Sequence, residues 1–237
     1  MAEIHRQRIV GIRKHRFDIV LLGPPGAGKG TQADLLSAKY GITHVNTGEL
    51  LRALAEEPTQ VGGAVRHFLE NGLMVPEGVV ARIIEERLSS PDCERGFILD
   101  GYPRTASQMV TFDHLLQELG REVFAVIYIE VPDSVCLARL STRRVCSGCS
   151  AVKTIPGGSH QSRAACERCG GRLIRRPDDR PEVVVRRLAL FSREIAPVIA
   201  KFEREGLLAR VDGRNRVNDV FEQITRAIKR KLTNGKS

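Results

Sequence analysis

Short continuous runs of apolar residues alternate along the chain with longer stretches of helical spacing. The runs FDIVLL (17–22), GFILD (96–100) and VFAVIYIEV (123–131) have the length of strands and meet glycine or proline at an end. Such runs are typical of strands buried on both faces of a parallel sheet. The stretches VVARIIEERL and ASQMVTFDHLLQEL have apolar residues three or four positions apart and predict helices. The alternation predicts an α/β fold whose parallel sheet is covered on both faces.

The same pattern continues through the last third of the chain. Residues 182–206 have helical spacing, with Pro197 as a predicted kink or boundary. A short strand, LLARV, and a last helix, VNDVFEQITRAIKRKL, are predicted after them. With 237 residues and no internal repeat, the chain is long enough to bury one or two proper cores.

The charge and composition of the chain indicate which kinds of molecule it could bind. A net charge of +9 suits nucleic acid or small polyanionic ligands. Nucleic acid is disfavoured because Trp is absent, Tyr occurs three times, and no basic stripe carries aromatic residues on which bases could stack. Much of the positive charge lies in residues 1–16, expected to form a basic N-terminal extension, and in the tail RAIKRKLTNGKS. Without a bilayer-length apolar run or a secretory signal, we expect a cytoplasmic protein with no membrane partner.

The stretch GPPGAGKGT (23–31) follows the first predicted strand and opens the first predicted helix. A glycine-rich turn in that position presents backbone N–H groups at a helix N-terminus, where the dipole favours anions. Lys29 adds a charge that can reach the outer phosphates of a nucleotide. The strict Walker pattern has Ser or Thr directly after Lys, whereas here Gly30 intervenes and Thr31 supplies the hydroxyl. Because strand and helix flank it, the stretch predicts a phosphate-binding loop rather than a turn with another task.

A second polar cluster follows the predicted strand GFILD, in the sequence ILDGYPRTASQ. In open α/β sheets, ligands bind outside the carboxyl ends of the strands, so Asp100 and Arg104 are expected beside the phosphate loop. A carboxylate there can hold the water ligands of magnesium, and a guanidinium can bind a second phosphate.

Four of the six cysteines form two Cys-x-x-Cys pairs, Cys146 with Cys149 and Cys166 with Cys169, sixteen residues apart. This spacing suits tetrahedral zinc, and a closed set of four thiolates indicates a structural site rather than a catalytic one. The alternatives are unligated thiols or disulfides, His160 in place of one cysteine, and a zinc ribbon that binds nucleic acid.

The motifs GPPGAGKGTQ, NTGELLR (46–52) and ILDGYPRT, with Arg139, Arg143, Arg176 and Arg187, together resemble the adenylate kinases. The resemblance is to the long bacterial form with four cysteines in its lid, and it runs from about residue 17 to the C-terminus. It implies a P-loop three-layer α/β fold with a parallel central sheet, a core of 17–45, 76–141 and 180–237, a helical AMP-binding insertion at 46–75, and a zinc-stapled lid at 142–179. It further implies a monomer that converts MgATP and AMP reversibly into two ADP.

The resemblance also implies roles for individual residues. The ATP site would comprise Gly26, Ala27, Gly28, Lys29, Gly30, Thr31, Arg143, Val152, Lys153 and Asn215. The AMP site would comprise Thr47, Arg52, Leu73, Met74, Val75, Gly101, Tyr102, Pro103, Arg104, Gln108, Arg176 and Arg187. The catalytic set would be Lys29, Asp100, Arg104, Arg139, Arg143, Arg176 and Arg187, with Asp100 positioning magnesium. Structural zinc would be held by Cys146, Cys149, Cys166 and Cys169 under a lid that closes, as adenylate kinase lids are known to do.

A ring of cationic side chains suits phosphoryl transfer, which needs in-line positioning and charge neutralisation and little covalent help from the protein. No general base is expected, because the phosphate of AMP is already ionised. Two alternatives share some of these motifs. A uridylate or cytidylate kinase would share the core, but Thr47 and Gln108 resemble an AMP pocket. A zinc-containing nucleotide- or nucleic-acid-binding protein without turnover would have no need for the cationic ring.

Overall fold

The computed structural model describes residues 16–155 and 165–234, and the chain forms a parallel sheet between two layers of helices. The strands are β1 Phe17–Leu22, β2 Thr43–Asn46, β3 Gly96–Asp100, β4 Ala125–Glu130, β5 Arg143–Cys146, β6 Val152–Thr154, β7 Leu173–Ile174 and β8 Leu208–Asp212. The α-helices are α1 Lys29–Tyr40, α2 Thr47–Glu56, α3 Gln60–Glu70, α4 Glu77–Leu88, α5 Ala106–Glu118, α6 Asp133–Thr142, α7 Pro181–Glu194, α8 Ala196–Arg204 and α9 Val217–Asn234.

The central sheet has five parallel strands in the order β2-β3-β1-β4-β8. Alternate side chains of β1 enter two separate cores, with Val20 and Leu22 on one face and Ile19 and Leu21 on the other. Helices α4, α5 and α8 cover the first face, while α1, α6 and α9 cover the second. The predicted α/β fold with a covered parallel sheet is confirmed.

The predicted elements of the central sheet are found with small shifts at their ends. Strand β4 begins at Ala125 rather than at residue 123, and β8 spans Leu208–Asp212. Pro197 lies in the first turn of α8, which confirms the predicted boundary after α7. Strand β2 was not predicted, because its four residues THVN are too few and too polar to form an apolar run.

The parallel strands bring several loops to one edge of the sheet. Asn46 at the end of β2 and Leu21 near the end of β1 both stand in register with Asp100 at the end of β3. The glycine-rich loop leaves β1 at this edge and leads into α1. The predicted phosphate loop and the predicted magnesium-side carboxylate are therefore neighbours, as the topology requires.

Two smaller units accompany the sheet. Helices α2 and α3 pack against each other between β2 and α4, and their N-termini are capped by Asn46 and Thr59. Strands β5, β6 and β7 form a small antiparallel sheet in the order β6-β5-β7. Of the expected N-terminal extension, 1–16, only Arg16 lies among the described residues. In the described part of the chain, every helix is too short or too polar to cross a membrane.

Candidate active site

The glycine-rich loop is shaped for a close approach to an anion. Gly26 and Gly28 have φ of 88° and 92°, a left-handed conformation that favours glycine. A side chain on Gly26 would also lie 3.0 Å from the carbonyl oxygen of Cys136. Gly28 is the N-cap of α1 and offers no side-chain acceptor to the first N–H groups of that helix. These N–H groups, at the positive end of the helix dipole, are available to a phosphate.

Lys29 folds back over this loop. Its Nζ donates hydrogen bonds to the carbonyl oxygens of Gly23 at 2.8 Å and Pro24 at 3.1 Å. Burial lowers the pKa of Lys29 to about 8; Asp100 offsets part of this effect, whereas Arg104 and Arg187 lower the pKa further. A bound phosphate would stabilise the charged ammonium group of Lys29, so the loop favours the binding of an anion.

Asp100 is the buried carboxylate of the site. Its Oδ2 accepts a hydrogen bond from Asn46 Nδ2 at 3.2 Å and lies 3.7 Å from His44 Nε2. Burial acts to raise the pKa of Asp100, but His44, Lys29 and Arg104 together hold the pKa below its ordinary value. Asp100 is therefore an anion at neutral pH, as a group that binds the waters of a divalent cation must be.

His44 contacts two carboxylates. Its Nδ1 lies 2.8 Å from Asp34 Oδ1, on the side away from Asp100. Burial lowers the pKa of His44, but the two carboxylates outweigh that effect and raise the pKa to about 9. His44 thus carries a positive charge at neutral pH and contributes to the field around Asp100.

The loop after β3 fixes Arg104 and Gln108 against each other. Arg104 Nε donates to the carbonyl oxygen of Gly101 at 2.6 Å, and the backbone N–H of Arg104 donates to Gln108 Oε1 at 2.8 Å. A side chain on Gly101, whose φ is 85°, would lie 2.8 Å from Arg104 Nη2. The hydroxyl of Tyr102 donates to the carbonyl oxygen of Gln108 at 3.2 Å. This network holds a guanidinium and an amide at the edge of the sheet.

Four arginines surround two buried carboxylates near the beginning of α7. Arg143 binds Asp179 through two hydrogen bonds of 2.8 and 2.5 Å, and Arg187 Nη1 lies 2.9 Å from Asp178 Oδ2. Burial lowers the pKa of Arg176 to about 10, with repulsion from Arg52 and Arg143 contributing. Burial also lowers the pKa of Arg52, and repulsion from Arg187 and Arg143 lowers it further. The mutual repulsion indicates excess positive charge that phosphate groups would neutralise.

The other predicted site residues are placed as follows. Arg139 Nη2 donates to the carbonyl oxygen of Gly213 at 2.8 Å, beside the loop that contains the exposed Asn215. Lys153 pairs with Glu167, and Val152 next to it is 55% exposed. Thr31 is exposed on the first turn of α1, and Leu73, Met74 and Val75 follow the end of α3 and range from exposed to buried. The charges of Asp100, Arg104 and Arg187 all act on the pKa of Lys29, whereas Lys153 and Asn215 do not figure among these effects.

The four cysteines of the small antiparallel sheet fit a tetrahedral metal. All four sulfur atoms lie within 4.8 Å of one another, with Cys146 and Cys169 3.4 Å apart and Cys149 and Cys166 3.6 Å apart. Zinc–sulfur bonds of about 2.3 Å require sulfur separations of about 3.8 Å in a regular tetrahedron, whereas a disulfide requires about 2.05 Å. The backbone N–H of Gly148 donates to Cys146 Sγ at 3.3 Å, which further favours thiolate. His160, the alternative ligand, lies outside the described residues.

Sequence reasoning missed several polar side chains that contact the predicted ones: His44, Asn46, Glu49, Asp178 and Asp179. The pair of aspartates directly after Arg176 and Pro177 was the one visible signal, since adjacent carboxylates beside a required arginine suggest an ion-pair partner. His44 and Asn46 reach Asp100 through the parallel register of β2 and β3, which the sequence does not specify.

Comparison with known proteins finds relatives that belong to one family. The family model of adenylate kinase matches residues 21–207. The adenylate kinase of Caldicellulosiruptor bescii is 39% identical over 210 residues, which cover 89% of this chain and 98% of that protein. The adenylate kinase of Caldanaerobacter subterraneus is 40% identical over 210 residues (89% and 95%), and that of Archaeoglobus fulgidus 39% identical over 208 residues (88% and 96%). The match spans the phosphate loop, the arginine cluster and the four cysteines.

Proposed function

The chain belongs to the adenylate kinase family and transfers a phosphoryl group reversibly between ATP and AMP to give two ADP, and we propose that the transfer occurs where the glycine-rich loop, Asp100 and the arginine cluster meet. The observation that carries this proposal is that Lys29 folds over the glycine-rich loop while the charges of Asp100, Arg104 and Arg187 act on it. Each of the other three groups shifts the pKa of Lys29, so their charges act on the same small region.

We propose that ATP occupies the glycine-rich loop. Residues 26–31 would surround its phosphates, and Lys29 would exchange its two carbonyl partners for phosphate oxygens. Arg139 and Arg143 would approach from the ATP side. The loop that contains Asn215 would read the adenine, and Val152 and Lys153 would reach the nucleotide from the small antiparallel sheet.

We propose that AMP lies between α2 and the loop after β3. The hydroxyl of Thr47 supports this, because it is buried and has no hydrogen-bond partner among the described residues. A nucleotide phosphate would satisfy it, with Arg52, Arg104, Arg176 and Arg187 supplying the charge. Gln108 and the backbone of 101–103 and 73–75 would enclose the base.

The proposed chemistry is positioning and charge neutralisation. Magnesium, bound with ATP through waters oriented by Asp100, would supply positive charge at the β- and γ-phosphates. Lys29 and the arginines would bind the oxygens that gain or redistribute charge as the γ-phosphoryl passes to AMP. No described side chain has to accept a proton, because the attacking phosphate oxygen is already ionised.

The remaining parts have proposed roles in the same reaction. Residues 17–45, 76–141 and 180–237 would form the core, 46–75 the AMP-binding insertion, and 142–179 a lid. The four cysteines would hold zinc and keep the lid rigid, so that its closure brings in Arg143 and excludes water as a competing acceptor. A monomer is proposed, since one chain supplies every proposed site residue, and a cytoplasmic location, since free thiolates suit a reducing compartment.

The test is the choice of phosphoryl acceptor. With MgATP as donor, we expect AMP to be phosphorylated far faster than UMP, CMP or GMP. The substitution Gln108→Leu should raise KM for AMP and leave KM for ATP unchanged, whereas Gln117→Leu, on the exposed side of the same helix, should change neither. Faster turnover with UMP or CMP would favour the alternative kinase class, and no turnover with any acceptor would favour a binding protein.

A further inference from the structure

Asn46 uses both ends of its side chain at the edge of the proposed site. It is the last residue of β2 and stands in parallel register with Asp100, the last residue of β3. Its Nδ2 donates to Asp100 Oδ2 at 3.2 Å, and its Oδ1 accepts from the backbone N–H of Glu49 at 3.0 Å. The two partners fix the orientation of the amide, because a reversed amide would set oxygen against carboxylate and NH₂ against N–H.

The contact gives the two carboxylate oxygens of Asp100 different surroundings. Oδ2 faces Asn46 and His44, whereas no donor in the described part of the chain hydrogen-bonds to Oδ1. Gly30 of the phosphate loop packs against the same pair, since a side chain there would lie 3.6 Å from Asp100 Oδ2 and 3.8 Å from Asn46 Nδ2. The hydrogen bond from Asn46 thus occupies Oδ2 beside Gly30 and leaves Oδ1 available for the waters of a cation.

The other end of Asn46 supports the helix that carries proposed AMP ligands. Asn46 is the N-cap of α2, whose residues include Thr47 and Arg52. A single side chain therefore connects the carboxylate on the ATP side with the beginning of the helix on the AMP side.

We infer that Asn46 is a positioning residue of the phosphoryl-transfer site, which orients Asp100 toward the magnesium ion of MgATP through its amide N–H while its amide oxygen caps α2. This inference rests on the proposed function, because it takes Asp100 to be the carboxylate that binds the waters of magnesium.

Three variants separate the two roles of Asn46. Asn46→Ser keeps a good N-cap residue but has no group long enough to replace Nδ2. Asn46→Ala removes both contacts. Thr59→Ala removes the cap of α3, in which Thr59 Oγ1 accepts from the N–H of Gly62 at 3.0 Å, and serves as the control for loss of a cap away from Asp100.

The measurement is the affinity for ATP by calorimetry, with and without Mg²⁺, alongside thermal unfolding. The ratio of the two dissociation constants gives the gain that magnesium provides, and it does not depend on turnover. We expect Asn46→Ser and Asn46→Ala to reduce this gain equally, by about tenfold for the loss of one charge-assisted hydrogen bond. Asn46→Ala, which loses the cap as well, should lower the unfolding temperature more than Asn46→Ser does, and Thr59→Ala should lower it while retaining the full gain.

The variant Asp100→Asn separates a failure of the inference about Asn46 from a failure of the proposed magnesium role of Asp100. We expect it to remove most of the magnesium gain, and adding Asn46→Ser to it should cause no further loss, because Asn46 acts through Asp100. If Asn46→Ser retains the wild-type gain while Asp100→Asn loses it, the role of Asn46 is refuted and the proposed function stands. If Asp100→Asn also retains the gain, the magnesium role of Asp100 and the inference about Asn46 are refuted together.

Discussion

The positively charged side chains of the site are not fully neutralised by neighbouring carboxylates, so a bound anion would be stabilised there. Lys29 is partly buried, and among the described residues its hydrogen-bond partners are two carbonyl oxygens. The arginines beside α7 outnumber the two aspartates between them. Burial and like charges lower the pKa of Lys29, Arg52, Arg104 and Arg176 in the same direction. Repulsion between these cations and their removal from water destabilise the free state, and bound nucleotide phosphates would offset both effects.

This arrangement predicts how ATP affinity depends on pH. In the free protein Lys29 has a pKa of about 8, and bound phosphates should raise that pKa, so binding takes up a proton above pH 8. The dissociation constant of ATP should therefore rise with pH above 8, by up to about tenfold per unit. Calorimetry from pH 7 to 9.5 at saturating Mg²⁺ measures it. Lys29→Met should bind weakly with little dependence on pH, and an equal slope in this variant would assign the titration to another group.

At the scale of residues, the motifs predicted the groups that meet phosphate but not the groups that hold them. Lys29, Asp100 and Arg104 follow from the glycine-rich loop and the rule that ligands bind at the carboxyl edge. The partners Asp179 of Arg143 and Asn46 of Asp100 depend on contacts between residues 36 and 54 positions apart. Sequence spacing alone does not encode such pairs, because strand order and register decide them.

At the scale of elements, the end of α3 is fitted closely against α7. Arg180 and Arg186 donate to the carbonyl oxygens of Glu70 at 2.9 Å and Asn71 at 2.8 Å. Gly72 follows with φ of 66°, and a side chain there would lie 3.0 Å from Val183 Cγ1 and 3.1 Å from its carbonyl oxygen. The proposed AMP-binding segment 73–75 begins directly afterwards, so α7 determines where that segment starts.

A pair of glycine substitutions tests this fit. Gly72→Ala should destabilise the protein by about 1–2 kcal/mol from backbone strain alone and raise KM for AMP more than KM for ATP. Gly63→Ala, inside α3 with no atom near the added methyl group, should be neutral or slightly stabilising. Urea unfolding and initial rates measure both variants. If Gly72→Ala leaves stability and KM for AMP unchanged, α7 does not constrain this segment.

The apolar runs and helical spacing of the sequence predicted the long buried strands and helices, whereas the short strands were not predicted. Strands β1, β3 and β4 are continuous apolar runs, and α4 and α5 have clear helical spacing. Strands of two to four residues, such as β2 and β7, are held by pairing with their neighbours rather than by their own pattern. They could be expected from the family resemblance and not from periodicity.

At the scale of the whole molecule, the proposed metal-bound lid would explain why a chain with a large core carries four clustered cysteines. The small sheet β6-β5-β7 buries only a few apolar residues besides two cysteines, so its own packing is slight. A metal would supply the missing stability, and it would stabilise the segment that places Arg143 rather than the central sheet.

Removal of one thiolate tests that explanation. Cys166→Ser should lose about one equivalent of zinc per chain and lower the unfolding temperature, because three thiolates bind the metal more weakly and the lid has little core. Metal analysis and scanning calorimetry measure the two effects. Ser147→Ala, at an exposed position between the first two cysteines, should retain both. Full metal content and unchanged stability in Cys166→Ser would refute the structural zinc site.

The fate of the γ-phosphoryl group distinguishes transfer to AMP from hydrolysis of ATP. We would incubate the protein with AMP and MgATP labelled in the γ-phosphate and follow the label over many turnovers. We expect the label to appear in ADP derived from AMP, with almost none released as inorganic phosphate, because the proposed arginine cluster and lid would direct the phosphoryl group to the nucleotide. Release of most of the label as inorganic phosphate, or no transfer although both nucleotides bind, would contradict it.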